Sequence, residues 1–185
     1  MYRENEVEIE PTIAGLLCSA ILSDTLMFRS PTCTDVDRKT AKKLAKIAKI
    51  DITDHATRMF NAGAQLGDKT PDEIFHIDCK NFKVDRKSIA VAQVTSMSQR
   101  ELDGLKEQMI QYMQNLLPVA RLDMLFLMLT NIADESTELL FVGNGTKELV
   151  ENTFNRECEA NSVHLPGVVS RKQQLITPLS AAIKG

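Results

Sequence analysis

Met124-Leu125-Phe126-Leu127-Met128-Leu129-Thr130 decides the fold. An unbroken apolar run of this length, without the 3.6-residue period of an amphipathic helix, reads as a strand buried on both faces near the middle of a sheet. On its C-terminal side Glu138–Val142 reads as another strand, and Gly143-Asn144-Gly145 turns the chain into a helix near Glu148–Phe154. On its N-terminal side lies a long amphipathic helix, Ser98–Leu117, preceded by Cys79–Val84 and Ile89–Ser96, which alternate in the manner of strands. The polar Asp85-Arg86-Lys87 between those two makes them a hairpin. A last helical stretch, interrupted near Pro178, follows Ser170. The expected fold class is mixed α/β, with a mixed β-sheet flanked by helices.

The earlier part of the chain is helical in style. Pro11–Leu22 is apolar and rich in Ala, Leu and Ile, with Pro11 suited to a first helical turn. It leads to Ser23-Asp24-Thr25 and then to Arg29-Ser30-Pro31-Thr32, where Pro31 stops any continuing helix. Thr34-Asp35-Val36-Asp37 supplies caps for a helix over Arg38–Ile50, whose Ala41, Leu44, Ala45 and Ala48 share one face. Thr53 is expected to cap a further helix that runs to about Ala64. Gln65-Leu66-Gly67-Asp68-Lys69-Thr70-Pro71 then breaks the pattern, and the expected domains are 1–66 and 67–185. The sequence contains no internal repeat and no low-complexity segment.

At 185 residues the chain has room for one ordinary domain, or for a domain and part of another. Its longest apolar stretches, around Ile13–Leu22 and Met124–Leu129, fall short of the roughly 20 residues that span a bilayer. Met1-Tyr2-Arg3-Glu4-Asn5-Glu6 lacks the basic-then-apolar order of a signal peptide, so export is not expected. Cys18, Cys33, Cys79 and Cys158 stand singly, which points to neither a disulfide framework nor a thiolate metal site and fits a reducing cytoplasm. The net charge is −3 and the basic residues are interspersed with acidic ones, unlike the basic stripe of a nucleic-acid binder. Any polyanion site must be local.

Asp24 stands at the end of the apolar helix between two hydroxyl residues. On spacing alone it is a helix-end residue satisfying backbone amides; as a ligand for a hard divalent cation it needs partners from elsewhere. Ser170-Arg171-Lys172 puts two adjacent cations after the apolar approach Leu165-Pro166-Gly167-Val168-Val169. An arginine fork binds phosphate oxygens bidentately and a lysine acts as a point charge, yet such a pair by itself is ordinarily a solvated face. Lys80, after Asp78-Cys79 at the start of a strand, has the same plain alternative. Gly143-Asn144-Gly145-Thr146-Lys147 lacks full phosphate-loop spacing and reads as a strand-to-helix turn. His76 and His164 are single imidazoles with structural roles expected, and Met109, Met113, Met124 and Met128 are expected to fill the core.

Taken in series, Ile13-Ala14-Gly15-Leu16-Leu17, Ser19-Ala20-Ile21-Leu22-Ser23-Asp24-Thr25-Leu26, Ser30-Pro31-Thr32-Cys33-Thr34 and Gly167-Val168-Val169-Ser170-Arg171-Lys172 resemble the family II inorganic pyrophosphatases, members of the DHH phosphoesterase superfamily. The resemblance covers essentially the whole chain. It implies that 1–66 is the C-terminal, helical portion of the metal-binding DHH domain and that 67–185 is the DHH-associated substrate-binding domain. It further implies that Asp24 is a manganese ligand, with magnesium or cobalt as alternative ions, and that Lys80, Arg171 and Lys172 bind substrate phosphate. The family's Ser-Arg-Lys-Lys-Gln signature reads here Ser170-Arg171-Lys172-Gln173-Gln174, so its second lysine is replaced by Gln173. The family's His-x-Asp-x-Asp motif, a further aspartate and the Asp-His-His motif are not in this sequence; Asp54-His55 is followed by Ala56 and lies past that motif's place.

The activity implied is hydrolysis of inorganic pyrophosphate to two phosphates by a metal-activated water, at a two-domain cleft that closes about Gln65–Asp68. This chain supplies the phosphate clamp and one metal ligand, no catalytic acid or base, and alone should be inactive. Its implied partners are pyrophosphate, phosphate, the remainder of the N-terminal DHH domain and, in a full-length protein, a second copy. Two alternatives stand beside this reading. One is an anion-binding or protein-interaction module in which Met1–Ala64 covers its helix faces on a partner. The other is a DHH-superfamily phosphoesterase acting on nucleotides, against which counts the lack of an aromatic platform for bases.

Overall fold

The structure, a computed structural model, describes residues 7–63 and 66–184. The sequence readings for Met1–Glu6, Ala64 and Gln65 lie outside the described residues. The chain divides into two units, Met1–Gly63 and Ala64–Gly185.

Three helices make up the described part of the first unit: α1 (Pro11–Asp24), α2 (Asp35–Ala48) and α3 (Ile52–Gly63). Pro11 opens α1, where its missing N–H costs nothing. The helix buries Ala14, Cys18 and Leu22, four residues apart, and α2 buries Ala41, Leu44 and Ala45. Small residues let the backbones approach, with an added Cβ on Gly15 falling 3.7 Å from Ala48 Cβ. Thr34 and Asp37 form a reciprocal capping box on α2: the Thr34 hydroxyl accepts from Asp37 N at 3.3 Å and the Asp37 carboxylate accepts from Thr34 N at 2.8 Å. Hydrogen bonds from the Thr34 hydroxyl and amide hold Asp37 below the usual carboxylate range. At α3 the expected cap is displaced. Asp51 Oδ1, not Thr53, accepts from Asp54 N at 2.9 Å, and Thr53 lies inside the first turn. Aspartate ranks above threonine as an N-cap, and here it stands one residue before the helix.

The second unit is a five-stranded sheet among the described residues, in the order β1 (Cys79–Val84), β2 (Lys87–Ser96), β3 (Met124–Asn131), β4 (Ser136–Gly143), β5 (Ser162–Pro166). β2 and β3 are parallel, and the other neighbours are antiparallel, so the sheet is mixed as expected. The parallel pair is joined by α5 (Gln99–Ala120), since parallel strands need a crossover rather than a turn. The remaining helices are α4 (Pro71–His76), α6 (Thr146–Phe154), a π-helix over Arg171–Ile176 and α7 (Thr177–Lys184).

Strand alternation sorts the core into two layers. On one face Ala90, Ala92, Val94, Leu125, Leu127, Leu129, Leu140 and Val142 meet Leu102, Leu105, Met109 and Met113 of α5 and Ile74 and Phe75 of α4. On the other, Ile89, Val91, Met124, Phe126, Met128, Leu139 and Phe141 meet Val150 of α6 and Leu175 and Leu179 at the C-terminal end. All of β3 is buried, as a central strand must be, and each of its apolar side chains contributes about 1.5–3 kcal/mol of transfer free energy. The four methionines fill the core as expected, but Met109 and Met113 lie on the opposite face from Met124 and Met128.

Some elements differ from the sequence reading. α4 and β5 were not anticipated, being six and five residues long. The helix expected to stop at Leu117 continues to Ala120, because Pro118 falls in the exposed last turn, where the lost N–H bond faces water. Pro178 does not interrupt a helix; it sits in the first turn of α7, after the π-helical segment. Gly143 is required where it stands, since its φ is 134° and a Cβ there would lie 2.5 Å from Asp123 O.

Candidate functional site

Asp24 is the last residue of α1 and is exposed, its carboxylate making no hydrogen bond or ion pair among the described residues. The backbone directly after it is unusual. Leu26, Met27 and Phe28 have φ values of 48°, 54° and 69°, three successive left-handed residues that are not glycine. Each costs about 1 kcal/mol or more, and such strain persists only where surroundings over-determine it. Thr25 supplies part of that determination: buried, it donates its hydroxyl to Ile21 O at 2.6 Å and accepts from Phe28 N at 3.2 Å. Arg38 supplies more, donating to Phe28 O at 2.8 Å with its guanidinium 5.3 Å from the Phe28 ring centroid.

Asp24 offers one hard oxygen donor of the type manganese accepts. Among the described residues no group of three or more His, Cys, Asp or Glu side chains converges to hold an ion. Asp24 therefore fits as one member of a ligand set and does not form a site by itself. His55 belongs to a structural contact, its Nε2 lying 2.7 Å from Ser19 Oγ.

In the second unit Lys80 and the helical segment that carries Arg171 and Lys172 stand on one side of the sheet. Lys80 shares the β1 face of Phe82 and Val84, the side on which Leu175 and Leu179 pack. It is exposed, and its ladder partner on β2 is Val91. Arg171 is buried, and its guanidinium is largely committed: Nη1 donates to Asp78 O at 2.7 Å and to Val91 O at 3.2 Å, and Nη2 donates to Asp78 Oδ1 at 2.8 Å. That uses three of five N–H groups and leaves two for another acceptor. The same arrangement ties the Arg171 segment to the residue two before Lys80. Lys172 and Gln173 are exposed, and the Lys172 ammonium has no hydrogen bond or ion pair among the described residues. Cys79 lies between Asp78 and Lys80; burial pushes its thiol up, against the pull of the Arg171 charge.

Ser170 caps the π-helix, accepting from Gln173 N at 3.4 Å. π-helical turns recur at functional sites, and this one carries both Arg171 and Lys172. The loop before it is braced by side chains that the sequence reading had not singled out: Gln93, Thr137 and Gln174. Only Gln174 carried a signal, as the last residue of the five-residue signature.

The other candidates have structural roles. His76 Nδ1 lies 2.9 Å from Asp72 O, within its own helix, and Gly145 precedes α6 as its N-cap. A cleft of about 480 Å³ lies along β4 and β5, but its lining includes none of the three cations. There Glu138 binds Lys106 at 2.6 Å and stands 3.5 Å from His164 Nδ1. No described helix is long and apolar enough to cross a membrane.

Residues 57–182 match the DHHA2 domain family, so the sheet and its C-terminal cations define a domain of that class. The chain is 45% identical over 185 residues to a Clostridium acetobutylicum protein named a probable manganese-dependent inorganic pyrophosphatase, covering 100% of this chain and 59% of that one. It is 39% identical over 183 residues to the manganese-dependent inorganic pyrophosphatase of Bacillus subtilis, covering 99% and 59%. A crystal structure from Methanococcus jannaschii, assigned to the family II inorganic pyrophosphatases, superposes with a TM-score of 0.86 at 41% identity, covering 96% of this chain and 58% of that one. The chain belongs to the family II manganese-dependent inorganic pyrophosphatases of the DHH phosphoesterase superfamily. It spans somewhat under two thirds of the length of the relatives it matches.

Proposed function

We propose that this chain supplies the phosphate-binding side of a manganese-dependent pyrophosphate hydrolase, together with one ligand to its metal. The observation that carries the reading is the buried Arg171 guanidinium, bonded to Asp78 and Val91 beside the strand that presents Lys80. Pyrophosphate and its products are dense anions, and a fixed guanidinium with two uncommitted N–H groups, next to Lys172 in the chain and bonded beside the strand that presents Lys80, suits their oxygens. Lys80 and Lys172 would take the bulk of the phosphate charge as point charges. Arg171 would orient one phosphoryl group through its uncommitted N–H groups and hold negative charge as it develops on the leaving phosphate.

A bound manganese ion would supply a water ionised near neutral pH; magnesium and cobalt are the alternative ions. Asp24, followed by a strained left-handed turn, is the proposed ligand from this chain. The other ligands would come from the remainder of the N-terminal DHH domain. α1 favours such a partner, because Leu16 is 64% exposed and Ile13 and Leu17 are also solvent-facing, outside the face that buries Ala14, Cys18 and Leu22. That exposed face also supports the second reading, a protein-interaction module, which would bind its partner independently of the three cations. Four unpaired cysteines suit a reducing, cytoplasmic setting.

Calorimetry with pyrophosphate, with and without manganese, tests the assignment on the chain and on its Arg171→Ala/Lys172→Ala variant. Binding by the parent and its loss in the variant are expected, with no hydrolysis by the chain alone. Equal binding by both proteins would defeat the clamp and leave the interaction module.

A further inference from the structure

The segment Gly167–Ser170, which delivers Arg171 and Lys172, belongs to no helix and to no strand. Its main-chain groups are nevertheless satisfied, largely by side chains. Gln174 makes three of the bonds: Oε1 accepts from Val169 N at 3.0 Å and Ser170 N at 2.9 Å, while Nε2 donates to Gly167 O at 2.7 Å. Thr137 Oγ1 donates to Val168 O at 2.5 Å and Gln93 Nε2 donates to Val169 O at 3.0 Å. Gly167 N donates to Glu135 O at 2.7 Å, and Ser170 O accepts from Gln174 N at 2.9 Å. Gln93 also reaches the other side of the site, its backbone N donating at 3.0 Å to Asp78 O, the carbonyl that accepts from Arg171.

We infer that Gln174 is a positioning residue for phosphate binding, setting the path of Gly167–Ser170 and so the placement of Arg171 and Lys172. The inference rests on the clamp reading above. Only a primary amide of this length meets the demand, because the loop turns two N–H donors and one carbonyl toward the same side chain. That pattern also fixes which end of the amide is oxygen. A glutamate keeps both acceptor contacts and sets its charge against Gly167 O; a methionine keeps the length and none of the bonds. Misplacing a charged group by an ångström is enough to weaken its hold on a substrate.

Amide hydrogen exchange and pyrophosphate calorimetry on the full chain test this, with Gln174→Met, Gln174→Glu and Lys172→Ala compared with the parent. In Gln174→Met the Val169 and Ser170 amides should exchange about tenfold faster or more, and pyrophosphate affinity should fall by a similar factor. Gln174→Glu should restore part of both. Should the methionine variant not fold, Gln174→Asn, one methylene too short, carries the same measurement. Unchanged protection of Val169 and Ser170 in a folded Gln174→Met chain overturns the inference whether or not pyrophosphate binds. Lost protection with undiminished pyrophosphate affinity also overturns it, leaving Gln174 a loop brace. The clamp reading itself fails separately, if Lys172→Ala binds pyrophosphate as tightly as the parent.

Discussion

Arg171 and Asp78, 93 residues apart in the chain, are joined twice: Nη2 meets the Asp78 carboxylate at 2.8 Å and Nη1 meets its carbonyl at 2.7 Å. The pair is asymmetric, since the Arg171 side chain is 9% exposed and that of Asp78 is 48% exposed. Removing the aspartate therefore leaves a nearly buried cation with a carbonyl partner but no counter-charge. Asp78→Ala should destabilise the fold by about 1–3 kcal/mol, the range for a hydrogen bond to a charged group with half-exposed screening. Urea melts check this, and a change below the error of the method would mean that the carbonyl bonds alone hold Arg171.

The ammonium groups of Lys80 and Lys172, unlike the Arg171 guanidinium, are exposed and have no hydrogen bond or ion pair among the described residues. Lys80→Ala and Lys172→Ala should shift stability by no more than about 0.5 kcal/mol, as exposed substitutions do, and yet weaken pyrophosphate binding. Arg171→Ala should lower both. Parallel melts and titrations on the three variants separate the two behaviours.

Tyr112 ties α5 to α4 by donating its hydroxyl to Asp72 Oδ1 at 2.5 Å. Burial, and then that hydrogen bond, push its ionisation well above the ordinary 10.0. A raised folded value means that the contribution is fully present below pH 10.0 and declines above it, where the unfolded chain ionises and the folded one does not. Stability should thus fall with pH above that point, less steeply in Tyr112→Phe. Urea midpoints across the alkaline range read the difference, and parallel slopes would remove Tyr112 from the account.

Asp51 should prove the working cap of α3. Asp51→Ala is expected to cost about 1 kcal/mol, as the loss of an N-cap carboxylate does. Thr53→Ala, inside the first turn, should cost no more than about 0.5 kcal/mol. Thermal melts of the two variants rank them, and the reverse order would return the cap to Thr53.

Patterns in the sequence carried the main architecture because the physics behind them is local. The unbroken Met124–Leu129 run has to be buried on both faces, and alternation in Ile89–Ser96 has to serve two different layers. α4 and β5 escaped because six residues and five residues hold too little period to register. Thr53 was preferred to Asp51 because a sequence displays several possible caps but not the residue at which the backbone turns helical.

The site was legible in a different way. Asp24, Lys80, Arg171 and Lys172 have unremarkable neighbours, and their interest came from several motifs occurring in order along one chain. By itself, then, the sequence determined the central strand, the helix-rich beginning, the mixed sheet and the family, each through local periodicity or ordered motifs. Only the tertiary structure decided that three of the five Arg171 N–H groups are committed to Asp78 and Val91, that Lys80 lies on the sheet face that carries Leu175, and that Gln174 braces the loop before Arg171. Those facts depend on distances between residues as many as 93 positions apart, and folding a sheet of mixed direction is what sets such distances.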